Sequence, residues 1–194
     1  MMTLTSLLTL LTATTALVTA TPSPISIPHP AIKLKRDATS VVSAVNTISS
    51  QLLTLNTTVT SYPGGIEGTL SALQIQAETI QLEFDLKTAI AVTRQSANFT
   101  DAESQSVAEA FVTLEPQIAS TLDNIISKKA DFDDGLLGIA SLSFLVKFDL
   151  QELSALSSAL GSAVQGKLSG VYAQLAPLVL DEISSAFKKA IAAY

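Results

Sequence analysis

Residues 37–62 read DATSVVSAVNTISSQLLTLNTTVTSY, and an apolar side chain recurs there at every third or fourth position. The apolar series is Val41, Val45, Ile48, Leu52, Leu55, Val59 and Tyr62. Because an α-helix completes a turn in about 3.6 residues, this series forms a stripe on one side, with Ser, Thr, Asn and Gln on the other. The stretch therefore predicts a helix over residues 37–61 that packs by one face, and Pro63-Gly64-Gly65 ends it.

The same spacing continues through residues 66–97 and predicts a second helix. Its main apolar series is Ile66, Leu70, Leu73, Ala77, Ile80 and Phe84. A further series widens the stripe: Ile75, Leu82, Leu86 and Ile90. We therefore expect this helix to contact neighbours on two sides.

A capping box marks the start of a third helix, in the stretch Phe99-Thr100-Asp101-Ala102-Glu103. Thr100 stands at the N-cap position, and Glu103 follows three residues later, where each can satisfy a free backbone amide. The apolar series that follows is Val107, Phe111, Leu114, Ile118, Leu122 and Ile125. Pro116 lies inside this series and removes one backbone hydrogen bond, so we expect a kink in the helix.

The next break is predicted at residues 131–138 (DFDDGLLG), before a fourth helix over residues 139–164. The first half of the fourth helix is apolar around most of its circumference, which is typical of an element surrounded by others. A fifth helix extends to about Ala192, with a kink or a restart at Pro177. These elements predict an all-α fold, a single bundle of about five mostly antiparallel helices joined by short loops.

The N-terminal residues predict a secreted precursor. Leu4 to Val18 is an uncharged apolar run, shorter than the roughly 20 residues of a membrane-spanning helix, and it ends in small residues up to Ala20. We expect residues 1–20 to be a signal peptide, the alternative being a buried helix. Residues 21–36 form a Pro-rich pro-segment ending in Lys35-Arg36, a dibasic processing site; an anion-binding arm and a solvated tail are the alternatives.

Processing after Arg36 would leave a domain of residues 37–194 with a strongly acidic charge. Eight of the 11 Lys and Arg residues would remain against all 17 acids, a net charge of −9, which disfavours nucleic acid as a partner. His29 is the only histidine, and the chain contains no cysteine. The mature domain would therefore lack a thiolate nucleophile, a Ser–His pair and an imidazole metal site, so we expect neither an enzyme nor a metal or other cofactor.

Few residues suggest specific chemistry. Asn56 and Asn98 each begin an N-glycosylation sequon, and Asn98, in a predicted loop, is the better acceptor. The carboxylates of residues 131–134 lack the full spacing of a calcium loop, so a solvated, helix-capping turn is preferred. Lys147 has no acid three or four residues away; it is either a lysine that extends along apolar surface to water or a partner for a ligand carboxylate.

The order of these segments resembles a known family. Asp37-Ala38 directly after Lys35-Arg36, the periodic first helix, residues 150–168 (LQELSALSSALGSAVQGKL) and residues 181–194 (DEISSAFKKAIAAY) are similar to the fungal hydrophobic surface-binding protein A and cell-wall galactomannoprotein family. The resemblance covers residues 37–194. It implies a secreted helical bundle, found outside the cell or in the cell wall. Since the chain ends without an apolar tail, we do not expect a lipid anchor.

The resemblance also implies function. Some members of this family adsorb to hydrophobic surfaces and recruit polyester-degrading hydrolases, and others hold fatty acids in an apolar cavity. We therefore expect a non-enzymatic protein that binds fatty acids or an apolar surface without spanning the membrane. The alternative is a structural wall mannoprotein without a specific ligand. If helices two, three and four enclose a cavity, its candidate lining is Leu73, Phe84, Phe111, Leu114, Leu145 and Phe148; in a tight core, the same residues would fill it.

Overall fold

The structure, a computed structural model, describes residues 37–134 and 141–194. The helices in these two ranges are Ala38–Ser61 (α1), Thr69–Gln95 (α2), Asp101–Ser127 (α3), Lys129–Asp133 (α4), Ser143–Gln165 (α5) and Gly170–Ala193 (α6). The predicted all-α bundle is confirmed within them, and the short α4 falls where a break was expected. The predicted signal peptide with Ala20, the pro-segment with Lys35 and Arg36, and the predicted start of helix four at Ile139 lie outside the described residues.

Local sequence signals set where α1 and α3 begin. The Asp37 carboxylate accepts a hydrogen bond from the backbone N–H of Ser40 (3.1 Å) and caps α1. At α3, the Thr100 hydroxyl accepts from the backbone N–H of Glu103 (3.3 Å), and the Glu103 carboxylate accepts from that of Thr100 (2.9 Å). The predicted capping box is therefore confirmed in both of its hydrogen bonds.

The five long helices form a ring in the order α1, α3, α6, α5, α2. Side chains of α1 and α3 meet at matching heights, Ser49 with Gln117 (2.6 Å) and Asn56 with Asn124 (2.7 Å), so these two helices are parallel. Helices α3 and α6 are parallel by the same criterion, as are α2 and α5. Consecutive long helices run in opposite directions, as expected for short loops. Three of the five neighbour pairs in the ring are nevertheless parallel, because the members of these pairs are not consecutive in the sequence.

The apolar stripes of α1 and α3 face the interior of the ring, as predicted. The seven residues of the first series are at most 6% exposed, and the six residues of the third-helix series are at most 9% exposed. Each buried Val, Leu or Ile side chain contributes about 1.5–3 kcal/mol relative to an exposed one. The stripes of these two neighbouring helices thus make up a large part of the core.

The orientation of α2 differs from the prediction. Its main predicted stripe is solvent-exposed, and the helix packs instead by the opposite face, with Leu82, Leu86, Ala89 and Ile90 buried. The threonines at positions 79 and 93 are buried on the same face, and such short side chains let α2 approach its neighbours closely. The series that we interpreted as widening the stripe is therefore the packing face.

Helix α5 is not surrounded by other elements, contrary to the prediction. Phe144 and Phe148 are exposed, while Leu150, Leu153 and Leu160 face the core. This helix is apolar around most of its circumference because it carries both a face that packs against the core and an exposed apolar face. Both internal prolines are accommodated, because α3 continues through residue 116 and α6 continues through residue 177 without a restart.

Aromatic side chains close one end of the bundle. The rings of Tyr62 and Phe132 stack with 4.7 Å between their centroids, and Tyr194 packs against the edge of Phe132 at 6.3 Å. The Tyr194 hydroxyl donates to the backbone carbonyl of Ile125 (2.7 Å), and burial raises its pKa above the usual range. This cluster, formed largely by the short α4 and the last residue, connects the end of α6 to the ends of α1 and α3.

Candidate functional site

An apolar groove with a volume of about 350 Å³ lies between α3, the end of α5 and α6. Its lining residues are Ala108, Glu109, Phe111, Val112, Thr113, Gly161, Val164, Leu168, Tyr172, Leu175, Ala176, Val179 and Leu180. The groove is accessible to solvent, because Val112 and Leu175 at its edge are 59% and 50% exposed. Its size falls in the range of about 300–1,000 Å³ that is typical of small-molecule sites.

Small residues at the helix contacts explain why the groove is open. Ala108 and Ala176 contribute only methyl groups from α3 and α6, and Gly161 contributes no side chain from α5. The Leu180 side chain lies directly over Gly161, where a Cβ atom would overlap it. Helices α5 and α6 therefore pack closely at this point.

The polar groups at the groove are few. Within the described part of the chain, Glu109 is the single charged lining residue, and its carboxylate accepts a hydrogen bond from Gln105 (2.8 Å). The Tyr172 hydroxyl has no hydrogen-bond partner in the described part of the chain, whereas the Thr113 hydroxyl donates to the Glu109 carbonyl (2.9 Å). Tyr172 is therefore the lining group with a free donor for a ligand head group.

A smaller inner cavity of about 40 Å³ lies on the axis of the ring, with lining residues from all five long helices. Its walls are apolar except for the hydroxyls of Thr121 and Ser157, and its volume corresponds to a space of about one or two water molecules. Phe111 and Leu180 line both the inner cavity and the apolar groove. These two side chains thus form the wall between the two spaces.

A third space, of about 30 Å³, contains an unusual carboxyl group. Asp149 on α5 lies there among Leu55, Val59 and Phe132. Burial raises the pKa of Asp149 from its ordinary value of 3.8 to about 6; a hydrogen bond from Gln76 lowers it and the nearby charge of Glu83 raises it further. This carboxyl group is therefore protonated in mildly acidic solution and ionised at neutral pH.

The six residues predicted to line one cavity are divided by the structure. Phe111 and Leu114 both line the inner cavity, and Phe111 also lines the groove. Leu73, Phe84 and Phe148 are exposed, and Leu145 is partly buried; none of these four lines the groove or the inner cavity. The apolar groove lies between α3, α5 and α6, whereas α2 turns its main apolar stripe away from the bundle.

The other predicted positions have simpler surroundings. Lys147 is half-buried on α5 and lines neither the groove nor the inner cavity. Asn98 is exposed in the loop between α2 and α3, whereas Asn56 is half-buried and its side chain accepts from Asn124. In the acidic turn, Asp133 pairs with Lys129 (2.5 Å) and accepts from the Ser143 hydroxyl at the start of α5. No metal-binding cluster occurs among the described residues.

Seven large apolar side chains form what we call the outer apolar stripe. They are Ile66, Leu70, Leu73, Ile80 and Phe84, before and along α2, with Phe144 and Phe148 on α5. Each of them is 57–79% exposed, and both helix faces point away from the core on helices that pack against each other. Large contiguous exposed apolar patches are uncommon on soluble proteins and usually mark interaction sites.

Together, these features define a helical bundle with a solvent-accessible apolar groove and a separate exposed apolar face. The model of the family described as hydrophobic surface binding protein A matches residues 38–166. The chain belongs to this family. No curated protein matches it in sequence. Across the described residues, no helix is both long enough and apolar enough to cross a membrane.

Solved structures with the same fold support this assignment. AFMP4P, whose crystal structure is a complex with palmitic acid, is 30% identical with a TM-score of 0.75; the match covers 81% of this chain and 99% of AFMP4P. Ligand binding domains 1 and 2 of the Penicillium marneffei MP1 protein, both complexed with arachidonic acids, are 18% and 21% identical, with TM-scores of 0.71 and 0.72. These matches cover 80% and 83% of this chain and 97% of each domain, and they share its fold.

Gly161, Tyr172 and Leu180 line the groove but were not predicted as site residues from the sequence. A signal did exist for Gly161, because a glycine inside an apolar helix can indicate the close approach of another element. Nothing in the sequence distinguishes Leu180 or Tyr172 from other leucine and tyrosine residues of apolar helices, so neither could be predicted as a site residue. Their importance follows from the contact between α5 and α6.

Proposed function

We propose that this protein is a secreted, non-enzymatic lipid-binding protein that holds an acyl chain in the apolar groove between α3, α5 and α6. The observation that carries the proposal is the groove itself, about 350 Å³ in volume and lined almost entirely by apolar side chains. Membership of the hydrophobic surface binding protein A family and the likeness to AFMP4P, a palmitic acid complex, support a fatty acid as the ligand.

The energetics of such a complex are favourable. Burial of about ten methylene groups contributes on the order of 8 kcal/mol at roughly 0.8 kcal/mol each. Association and ordering of the chain oppose this gain by several kcal/mol, and van der Waals contacts in a preformed groove offset part of that cost. Because 1 μM corresponds to about 8.2 kcal/mol, this net gain implies weaker binding, and we expect a dissociation constant of roughly 10–100 μM for a 16-carbon fatty acid.

The polar head group would lie at the rim of the groove. Glu109 there repels a carboxylate, and no Lys or Arg lines the described wall. The Tyr172 hydroxyl can donate a hydrogen bond to either a carboxylate or a neutral head group. We therefore expect the affinity to depend chiefly on the acyl chain, so that a fatty acid and its methyl ester bind within about tenfold of each other.

A second function is favoured by a separate observation, the outer apolar stripe. Its seven exposed side chains fit adsorption to an extended apolar surface such as a polyester or an oil–water interface, where secreted hydrolases act. Adsorption through α2 and α5 would leave the groove accessible on α3 and α6. Both activities are thus compatible in one molecule.

Two sets of variants test these functions separately. Ala176→Trp fills the groove and should abolish displacement of a fluorescent fatty acid by palmitate while adsorption to polyester film is retained. Replacement of Leu70, Phe84 and Phe144 by Ser should reduce adsorption and leave palmitate affinity unchanged. Equal palmitate affinity in Ala176→Trp would refute the groove as the site. A wild-type protein that binds no lipid and does not adsorb would instead support a structural wall role.

A further inference from the structure

We infer that Phe111 and Leu180 form a partition between the apolar groove and the inner cavity, and that this partition sets the length of acyl chain the protein accepts. The inference rests on the proposed lipid-binding function and adds which residues determine specificity. It follows from the positions of the two side chains, which line both spaces.

The geometry makes Leu180 the principal barrier. Its side chain lies over Gly161 and occupies the space in which any residue other than glycine at position 161 would place its Cβ atom. Phe111 faces it from α3, so the two side chains close the wall from opposite helices. An acyl chain that enters the groove and points towards the ring axis therefore meets these two residues first.

The space behind the partition is small but suited to a chain end. The inner cavity measures about 40 Å³, and its walls are almost entirely apolar. The side chains that line such a void have no van der Waals partners on the side facing it. Methylene groups that enter the void would therefore form favourable van der Waals contacts with these side chains. We infer that chains too long for the groove displace the partition and place their end in the inner cavity.

The backbone beside Leu180 favours such displacement. Pro177 lies one turn earlier in α6 and has no N–H group to bond the carbonyl of residue 173. This stretch of α6 is therefore held by one hydrogen bond fewer than a regular helix, between two groove-lining positions, Ala176 and Val179. Helices adjust most readily at such sites, so Leu180 can move at a lower cost than a leucine in a regular turn.

Measurement of dissociation constants for saturated fatty acids of 10 to 20 carbons tests the partition. Leu180→Ala removes three carbon atoms from the wall, so its optimum should shift by about two to three carbons towards longer chains. Since each additional buried methylene is worth about fourfold in affinity, palmitate and longer acids should gain relative to 12-carbon laurate. Phe111→Leu should shift the optimum in the same direction, which provides a second variant if Leu180→Ala is unstable.

Leu175→Ala is the matched control, because Leu175 lines the groove on the same helix and does not line the inner cavity. It should weaken binding of all chain lengths by a similar factor and leave the optimum unchanged. Unchanged length profiles in both Leu180→Ala and Phe111→Leu would overturn the partition while leaving the lipid-binding function intact. A shift of equal size in Leu175→Ala would also overturn it, and a wild-type protein without fatty-acid binding would overturn both proposals.

Discussion

The partly buried carboxyl group of Asp149 predicts an unusual dependence of stability on pH. Its pKa is raised from 3.8 to about 6 in the folded protein, chiefly by burial. The folded state therefore binds this proton more tightly than the unfolded chain does, and the contribution of Asp149 to stability falls as the pH rises from about 4 through 6. Above that range the ionised carboxylate in its apolar surroundings destabilises the fold.

The magnitude follows from the size of the pKa shift. A shift of about two units corresponds to roughly 3 kcal/mol at about 1.4 kcal/mol per unit. Asp149 is only about half-buried, so solvent screening reduces this value, and we expect about 1–2 kcal/mol. Asp149→Asn removes the charge and retains the shape of the side chain, so it should raise the free energy of unfolding by that amount at pH 7.

Urea denaturation of wild type and Asp149→Asn at pH 4 and pH 7 measures the effect. The gain in the variant should be present at pH 7 and nearly absent at pH 4, where the wild-type carboxyl is protonated. The comparison between pH values matters, because other carboxylates, such as Asp133 with its lowered pKa, change the stability of both proteins equally. An identical difference between the two proteins at both pH values would refute the argument.

Four further predictions concern the cap, the exposed face, the N-terminus and glycosylation. Thr100→Ala removes the N-cap of α3 and should cost about 1 kcal/mol in chemical denaturation; an unchanged midpoint at equal m-value would contradict this role. Phe148→Ala, at a largely exposed position, should change stability by less than about 1 kcal/mol, whereas Phe132→Ala in the aromatic cluster should cost roughly 3–5 kcal/mol; similar losses would argue against the exposed face of α5. N-terminal sequencing of the secreted protein should begin at Asp37, and a start at Thr21 would exclude the dibasic cut. Peptide mapping after deglycosylation in heavy-oxygen water should place the label chiefly on Asn98, in contrast to a label mainly on Asn56.

The helical fold could be predicted from the sequence because its signals are local. The caps at Asp37 and Thr100 depend on side chains within three residues of the helix start, and the glycine turn after residue 62 depends on backbone conformation. Gly64 adopts a φ of +73°, which disfavours residues with a Cβ atom. Such interactions require no knowledge of the rest of the chain.

The buried faces of α1 and α3 were predictable for a related reason. Each helix carries one clear apolar series, and a polar series occupies the opposite side. Only one face of such a helix can be buried at low cost, because Ser, Thr and Asn side chains lose their hydrogen bonds to water in an apolar core. The sequence therefore determines which face packs.

For α2 and α5, only the tertiary structure decided which face of the helix is buried. Both helices carry apolar residues on opposite sides, so the periodicity permits either face to be buried. The face of α2 that packs combines large apolar residues, such as Leu82 and Leu86, with the smaller Thr79, Ala89 and Thr93, which permit close approach to α1 and α5. Shape complementarity between helices distant in sequence selected this face, and hydrophobicity alone favoured the other.

The sequence by itself thus determined an acidic all-α chain, the caps at which α1 and α3 begin, and the packing faces of these two helices. Only the tertiary structure decided where the apolar groove lies and which residues form its inner wall. The groove exists because Gly161 admits Leu180 while Ala108 and Ala176 leave space beside it. A cavity is the volume that neighbouring side chains fail to fill, and that volume depends on contacts between α3, α5 and α6 that no local pattern encodes.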